Sequence, residues 1–142
     1  SFLMNVQDLQ TISQNNINVK ILLINNNGYL AIRNTQREFL QGRYFGTCKQ
    51  GGLTFPKFKN VAKTFSIKYL AIKKSSKMKN TLEKIRKTKG PLICEIFTSS
   101  NQAPLFKQGY KKMHSNKYEP QPLSEMYPFI DKSSKPISNT NN

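Results

Sequence analysis

The sequence predicts an α/β fold, a three-layer arrangement in which a mostly parallel sheet carries helices on both faces. Three observations predict it. Apolar runs of strand length stand at Val19 to Ile24, in "KYLAI" from Lys68 to Ile72, and at Pro91 to Phe97. Segments with apolar residues at helical spacing lie between them. Strand, helix, strand, helix, strand within about 80 residues is the arithmetic of a parallel sheet wound with right-handed crossovers.

In chain order, Phe2, Val6, Leu9 and Ile12 fall on one face of an amphipathic helix, with Asp8 and Gln10 off that face. An Asn-rich turn from Asn15 to Asn18 leads into Val19 to Ile24, a run apolar but for Lys20 and expected to be buried on both faces. Asn25 to Tyr29 read as a turn. "LAIRNTQREFL" predicts a short helix carrying Ile32, Gln36 and Phe39, and the Gly-rich "QGRYFGTCKQGGL" after it is long for a loop in a compact domain. Thr54 is placed to cap a helix with Pro56 in its first turn and Phe55, Phe58, Val61, Ala62 and Phe65 on one face. After "KYLAI", Ser75 or Ser76 caps a helix whose Met78, Leu82 and Ile85 face inward and which Gly90 stops.

Beyond Thr98 the periodicity vanishes. We therefore expect three regions: residues 1–100 form the α/β part, 101–131 an extension packing near the site through the spaced apolar anchors of "EPQPLSEMYPFI", and 132–142 a flexible tail. No internal repeat is found.

Composition narrows the classes. With 142 residues, 37% hydrophobic and 21% charged, the chain has room for about one modest core. Its apolar runs are far too short for a membrane span, and "SFLMNVQDLQ" lacks the basic lead and apolar core of a secretory signal, so a cytoplasmic location is expected. The formal charge of +16 invites a nucleic-acid reading. Only four of the 23 basic residues are Arg, however, and the lysines are dispersed rather than interleaved with aromatics in one stripe. They read as a solvated surface. Cys48 and Cys94 are too few for a disulfide framework or a Cys-rich zinc site; Cys94, inside "PLICEIF", reads as a small buried side chain. The lone His114, among lysines, reads as an exposed ring.

"LLINNNGYL" raises the sharpest functional question, because asparagine is a poor strand residue. An Asn-Gly pair is an ordinary turn signal. It also sits beyond the carboxyl end of a strand, where open α/β sheets bind ligands, and its amide and peptide oxygens are hard donors of the kind magnesium takes together with a diphosphate. Both readings of these residues stay open on local grounds.

Taken together, "SFLMNVQDLQTI", "VKILLINNNGY", "QREFLQGRYFGT" and "PKFKNVAKTFSIKYL" resemble the thiamine diphosphate enzymes of the acetolactate synthase family over nearly the whole chain. In that family a Gly-Asp-Gly or Gly-Asp-Ala triplet precedes Ser-Phe, and Asn-Asn follows some two dozen residues later. Here Ser1 to Ile24 supplies 24 residues before Asn25 and Asn26, the spacing of a chain that begins just after the triplet.

The resemblance implies thiamine diphosphate and Mg2+ as cofactors, with Ser1, Phe2, Asn26, Gly28, Tyr29, Leu30 and Ala31 on the cofactor. Asn26 would give a side-chain metal ligand and Gly28 a backbone-carbonyl ligand. Ser1 and Phe2 would open the helix facing the diphosphate, and Leu30 and Ala31 would line the thiazolium side. The family's aspartate ligand, and the glutamate that activates the aminopyrimidine from another subunit, are not among these residues. No catalytic residue is therefore expected in the chain, which alone should be silent. Its implied partners are the rest of the same enzyme, a second subunit in a homodimer or homotetramer, a 2-keto acid, and FAD where an upstream domain carries it.

Departures bear on the substrate. Acetolactate synthases have Gln-Gly-Met-Val after the asparagines and a Trp before the Gln matching Gln36; Ala31 and Thr35 stand in those places. Related 2-keto acid decarboxylases carry an acid where this chain has Ile32, which favours a carboligase. Arg43 and Tyr44 match an Arg-Tyr pair of the synthases, or simply anchor the loop. The alternatives are another thiamine diphosphate-dependent 2-keto acid decarboxylase or a sugar-modifying carboligase and, from a different class, a small basic nucleic-acid-binding module.

Overall fold

The computed structural model describes residues 2–102, 107–114 and 117–127. The chain divides into two compact units, Ser1–Gln102 and Ala103–Asn142. The first unit is the α/β part. Its elements are α1 (Asp8–Gln14), β1 (Lys20–Asn25), α2 (Leu30–Phe39), α3 (Phe58–Thr64), β2 (Lys68–Ile72), α4 (Met78–Lys87) and β3 (Leu92–Phe97). The three strands form a parallel sheet in the order β1-β3-β2, with Lys20 and Lys68 both beside Leu92 at its start.

Side chains alternate across a strand, so β3 feeds two cores at once. Leu92, Cys94 and Ile96 join Ile72 and Ile85, which brings α4 onto one face. Ile93 joins Leu9, Ala62 and Ile67, with Phe2, Val6, Ile12, Ile21, Leu23, Val61, Phe65 and Tyr69 packed around them, which brings α1 and α3 onto the other. The three-layer α/β expectation is met. Cys94 is wholly buried, as its apolar run implied, and Cys48, which the sequence left undecided, is buried as well. His114 is exposed.

Several local expectations are corrected. The N-terminal helix is split: Phe2–Asn5 form a 3-10 turn and α1 begins only at Asp8, although the four apolar residues share one core as their spacing required. Asn25 is the last residue of β1 rather than the first of the turn. Thr54 does not cap α3, which starts at Phe58 after an extended Lys57. Pro56 disfavours helical backbone at the residue before it, so Phe55 cannot sit in a helical turn there. Ser75–Lys77 form a 3-10 turn ahead of α4 and give it no side-chain cap, and α4 sends only Ile85 into the core while Met78 and Leu82 stay 39% and 38% exposed. Gly90, at φ +79, turns the chain into β3 after α4 has already ended at Lys87.

The largest correction concerns β1, which is not buried on both faces. Leu22 and Ile24 are 49% and 57% exposed, because β1 is an edge of the sheet and α4 lies over β2 and β3.

In the second unit, where the sequence shows no periodicity, two short antiparallel pairs form. β4 (Lys107–Gln108) pairs with β7 (Met126–Tyr127), and β5 (Tyr110–Lys112) with β6 (Tyr118–Pro120). The anchors beyond Tyr127 and the expected tail at 132–142 lie outside the described residues.

Candidate functional site

β1 ends at the rim of the sheet on Asn25, and the chain turns there before α2 begins at Leu30. Both ends of this turn are pinned. At its start the Thr98 N–H donates to the Asn25 carbonyl (2.9 Å), and the Asn27 N–H donates to Asn25 Oδ1 (2.9 Å), an Asx turn that puts Asn27 at φ +56. At its end the Tyr29 N–H donates to the Thr47 carbonyl (2.9 Å). Gly28 is required for a reason other than backbone freedom: a Cβ there would stand 2.3 Å from that same Thr47 oxygen. Asparagine tolerates positive φ better than most residues, so the left-handed position falls on Asn27.

The long loop after α2 is what brings Thr47 there. Gln36 holds it, donating through Nε2 to the Phe45 carbonyl (3.0 Å) and accepting at Oε1 from Thr47 Oγ1 (2.6 Å). Thr47 and Cys48 are consequently buried at 2% and 4% exposure although they lie in a Gly-rich connection. Tyr44, of the Arg43–Tyr44 pair, is half-buried, and Arg43 is exposed.

A cleft of about 590 Å³ lies against this turn. Phe2, Asn26, Gly28, Tyr29, Leu30 and Ala31 all line it, together with Asn25, Phe55, Phe58 and the length of β1. Six residues named from the sequence as one site are thus brought together; Ser1 lies outside the described residues. The expected helix at Phe2 is the four-residue 3-10 turn. Aromatic rings build one wall: Phe55 meets Tyr29 edge to face (6.0 Å between centroids), and Phe2 meets Phe58 in the same way (5.7 Å).

Three features of the site escaped sequence reasoning. Glu95 stands in the middle strand at 4% exposure, accepting from the Asn25 Nδ2 at Oε1 (2.5 Å) and from the Tyr69 hydroxyl at Oε2. Burial, the bond to Glu95 and its charge push the Tyr69 hydroxyl far above its ordinary range. The signal was in view as an acid inside "PLICEIF". Thr47 gave no comparable signal, and Gln36 was marked by its place on the helix and its family match but not as the residue that holds the loop. Arg33 Nη2 is buried without a hydrogen-bond partner among the described residues, and a Cβ on Gly28 would lie 3.4 Å from Arg33 Nη1.

The donor set is oxygen-rich and acid-poor. Among the described residues no group of three or more His, Cys, Asp or Glu is placed to hold a metal ion. Amide and peptide oxygens in a cleft suit a hard cation that arrives with an anionic ligand's own oxygens, so the residues present fit a magnesium diphosphate. Among the described residues no helix is long and apolar enough to cross a membrane.

Residues 1–96 match the thiamine pyrophosphate enzyme family at its C-terminal TPP binding domain. The acetolactate synthase large subunit of Cyanidium caldarium is 34% identical over 111 residues, 77% of this chain and 19% of its own length. That of Porphyra purpurea is 32% identical over 111 residues, covering 77% and 18%, and the acetolactate synthase of Arthrospira platensis is 31% identical over 96 residues, covering 68% and 16%. The chain spans less than a fifth of the length of these curated relatives. A match that takes in all of the parallel sheet but the last residue of β3, and the turn after β1, makes the chain a member of the thiamine pyrophosphate enzyme family, within its C-terminal TPP-binding domain.

Proposed function

We propose that this chain holds the diphosphate end of thiamine diphosphate through Mg2+, as one part of a carboligase resembling acetolactate synthase. The carboxamide oxygen of Asn26 and the backbone carbonyl of Gly28 are the metal ligands; Phe2, Tyr29, Leu30 and Ala31 form the surrounding wall. One observation carries this reading: those residues, from position 2 and from positions 26 to 31, line a single cleft that runs along β1 and past its carboxyl end. When bound, the cofactor supplies the carbanion chemistry that cleaves a 2-keto acid and passes a two-carbon unit to a carbonyl acceptor. This chain's residues bind and orient, and the aromatic wall of Phe2, Tyr29, Phe55 and Phe58 keeps water from one side of the cleft.

Ile32, where related decarboxylases carry an acid, is 56% exposed on the first turn of α2, and its lack of a proton to give supports the carboligase reading over a simple decarboxylase. The remaining parts of the proposal are a homodimer or homotetramer whose second subunit completes the site, a cytoplasmic location, and inactivity of the 142-residue chain alone.

Calorimetric titration of Mg2+ in the presence of thiamine diphosphate, on the intact polypeptide carrying these residues, tests the reading. Asn26→Ala should weaken magnesium affinity by at least roughly tenfold, the lower end of what even indirect disturbance of a metal site costs. Unchanged affinity would remove Asn26 from the site. Acetolactate formation from pyruvate then checks the carboligase assignment.

A further inference from the structure

Glu95 poses a problem that the cofactor reading leaves unsolved. Every other residue of β3 from Leu92 to Ile96 is buried and apolar, and a buried acid in such a strand is costly unless its oxygens are met by donors. Here both are met: Tyr69 on β2 donates to one and Asn25 on β1 to the other, so the carboxylate spans all three strands at the end where the cleft opens. Asn25 is thereby locked in one orientation, its amide nitrogen committed to Glu95 and its amide oxygen turned to the Asn27 N–H. The chain Tyr69, Glu95, Asn25, Asn27 runs from the edge strand β2 across β3 to β1 and into the turn.

The turn is also a partition. Asn26 and Gly28 line the cleft proposed for the cofactor, whereas Asn27, Tyr69 and Glu95 line a second cavity of about 650 Å³; Asn25, Phe55 and Phe58 line both, and Asn25 is the one of the three that belongs to the turn. Reversing the Asn25 amide would put two oxygens against each other at Glu95 and two N–H groups against each other at Asn27. A single amide orientation therefore fixes which residues of the turn look into the cleft.

We infer that Glu95 is a positioning residue for the cofactor-binding turn: through Asn25 it sets the Asx turn that holds Asn26 and Gly28 on the cleft side, with Tyr69 steadying the carboxylate from behind. This rests on the proposed role of Asn26 and Gly28. The interaction has a donor–acceptor sense that can be inverted. In Asn25→Asp two carboxylates face each other across the bond to Glu95. In the double variant Asn25→Asp/Glu95→Gln the amide and the acid change places, the net charge is that of the parent, and every hydrogen bond is restored with Gln donating to Asp.

Two readouts on the intact polypeptide separate the possibilities. Hydrogen exchange of peptides covering residues 25–29, measured without cofactor, reports the turn itself. It should quicken in Asn25→Asp and return in the double variant, and equal exchange in parent and single variant overturns the inference. Magnesium titration with thiamine diphosphate reports the consequence. The single variant should lose affinity by ~10–100-fold, the usual cost of removing a group that orients a metal ligand, and the double variant should recover most of it. A role confined to packing would lower the melting temperature of Asn25→Asp while leaving the magnesium constant of the folded protein at the parent value, which also overturns it. Failure of the parent to bind magnesium with the cofactor counts against the cofactor reading instead, while the exchange result still decides whether Glu95 sets the turn.

Discussion

β1 and β3 are neighbours in direct register, and their sequences are nearly equal in apolar content, yet they live in different environments. β3 is buried from Leu92 to Ile96, and β1 buries no residue to the same degree. Ile93 is fully buried while Leu22, beside Cys94, is 49% exposed. A continuous apolar run states what a strand prefers on its two faces. It does not name the elements that cover them, and for β1 one face and one edge are open among the described residues.

The largest expected difference between the two strands is in stability. Ile93→Ala empties the junction of α1, α3 and the sheet and should cost about 2–5 kcal/mol, whereas Leu22→Ala removes a side chain already half in water and should cost well under half as much. Urea denaturation of the chain measures both. Equal losses would mean that Leu22 is covered in solution, and the contrast drawn from the sheet order would collapse.

At the rim where the two strands end, Gly28→Ala comes next. Its new methyl group meets the Thr47 oxygen at 2.3 Å and must push the turn and the loop apart, at a cost of about 1–3 kcal/mol. Because the Thr47 carbonyl also accepts from Tyr29, the displaced residues are those of the proposed site. The variant should therefore lose magnesium affinity as well as stability. A drop in denaturation midpoint with intact magnesium binding would place Gly28 outside the metal site.

The titrating groups tied to the buried strand give a smaller, pH-dependent effect. Burial raises the Cys94 thiol above its ordinary 9.0, and burial with the Glu95 contact raises the Tyr69 hydroxyl above 10.0. The unfolded chain releases these protons at the ordinary values and the folded chain keeps them. Stability is accordingly whole below the lower of these values and falls as pH climbs through 9.0 and then 10.0. Tyr69→Phe should cost about 1 kcal/mol at neutral pH for the lost hydrogen bond, and should flatten the second of the two declines while leaving the first. Denaturation midpoints across the alkaline range would show it, and an unaltered profile would deny Tyr69 its raised pKa.

How much of this was legible follows the same division. The three strands and the amphipathic pattern of α1, α3 and Ile85 were readable because burial on a sheet face imposes a period on the residues themselves. The turn was readable as a candidate site through its asparagines and glycine and through the family resemblance. Thr47 was not, because its role is a backbone carbonyl, which any residue has; only the loop's path delivers it to Gly28. Glu95 and Tyr69 were visible as residues, but nothing in one dimension says that positions 25, 69 and 95 meet at one end of a sheet. Phe55 lies outside α3 because Pro56 restricts the backbone of the residue before it, a local constraint that outweighs its aromatic spacing with Phe58.

The smallest effect on stability carries the clearest consequence for association. Among the described residues β1 offers an unpaired strand edge with Leu22 and Ile24 standing in solvent beside it, the combination that draws a second strand or a second copy of the same chain. The 142-residue chain should therefore elute from a sizing column as oligomer or aggregate, more so as concentration rises. Leu22→Lys and Ile24→Lys place charge on that face and should shift the population toward monomer. Since both side chains are already about half exposed, the folded state should change by no more than about 0.5 kcal/mol. A parent chain that runs as a clean monomer at high concentration would mean that something beyond the described residues already covers the edge. β1 would then be a protected strand like β3, and the same lysines would become as damaging as charges placed in the core.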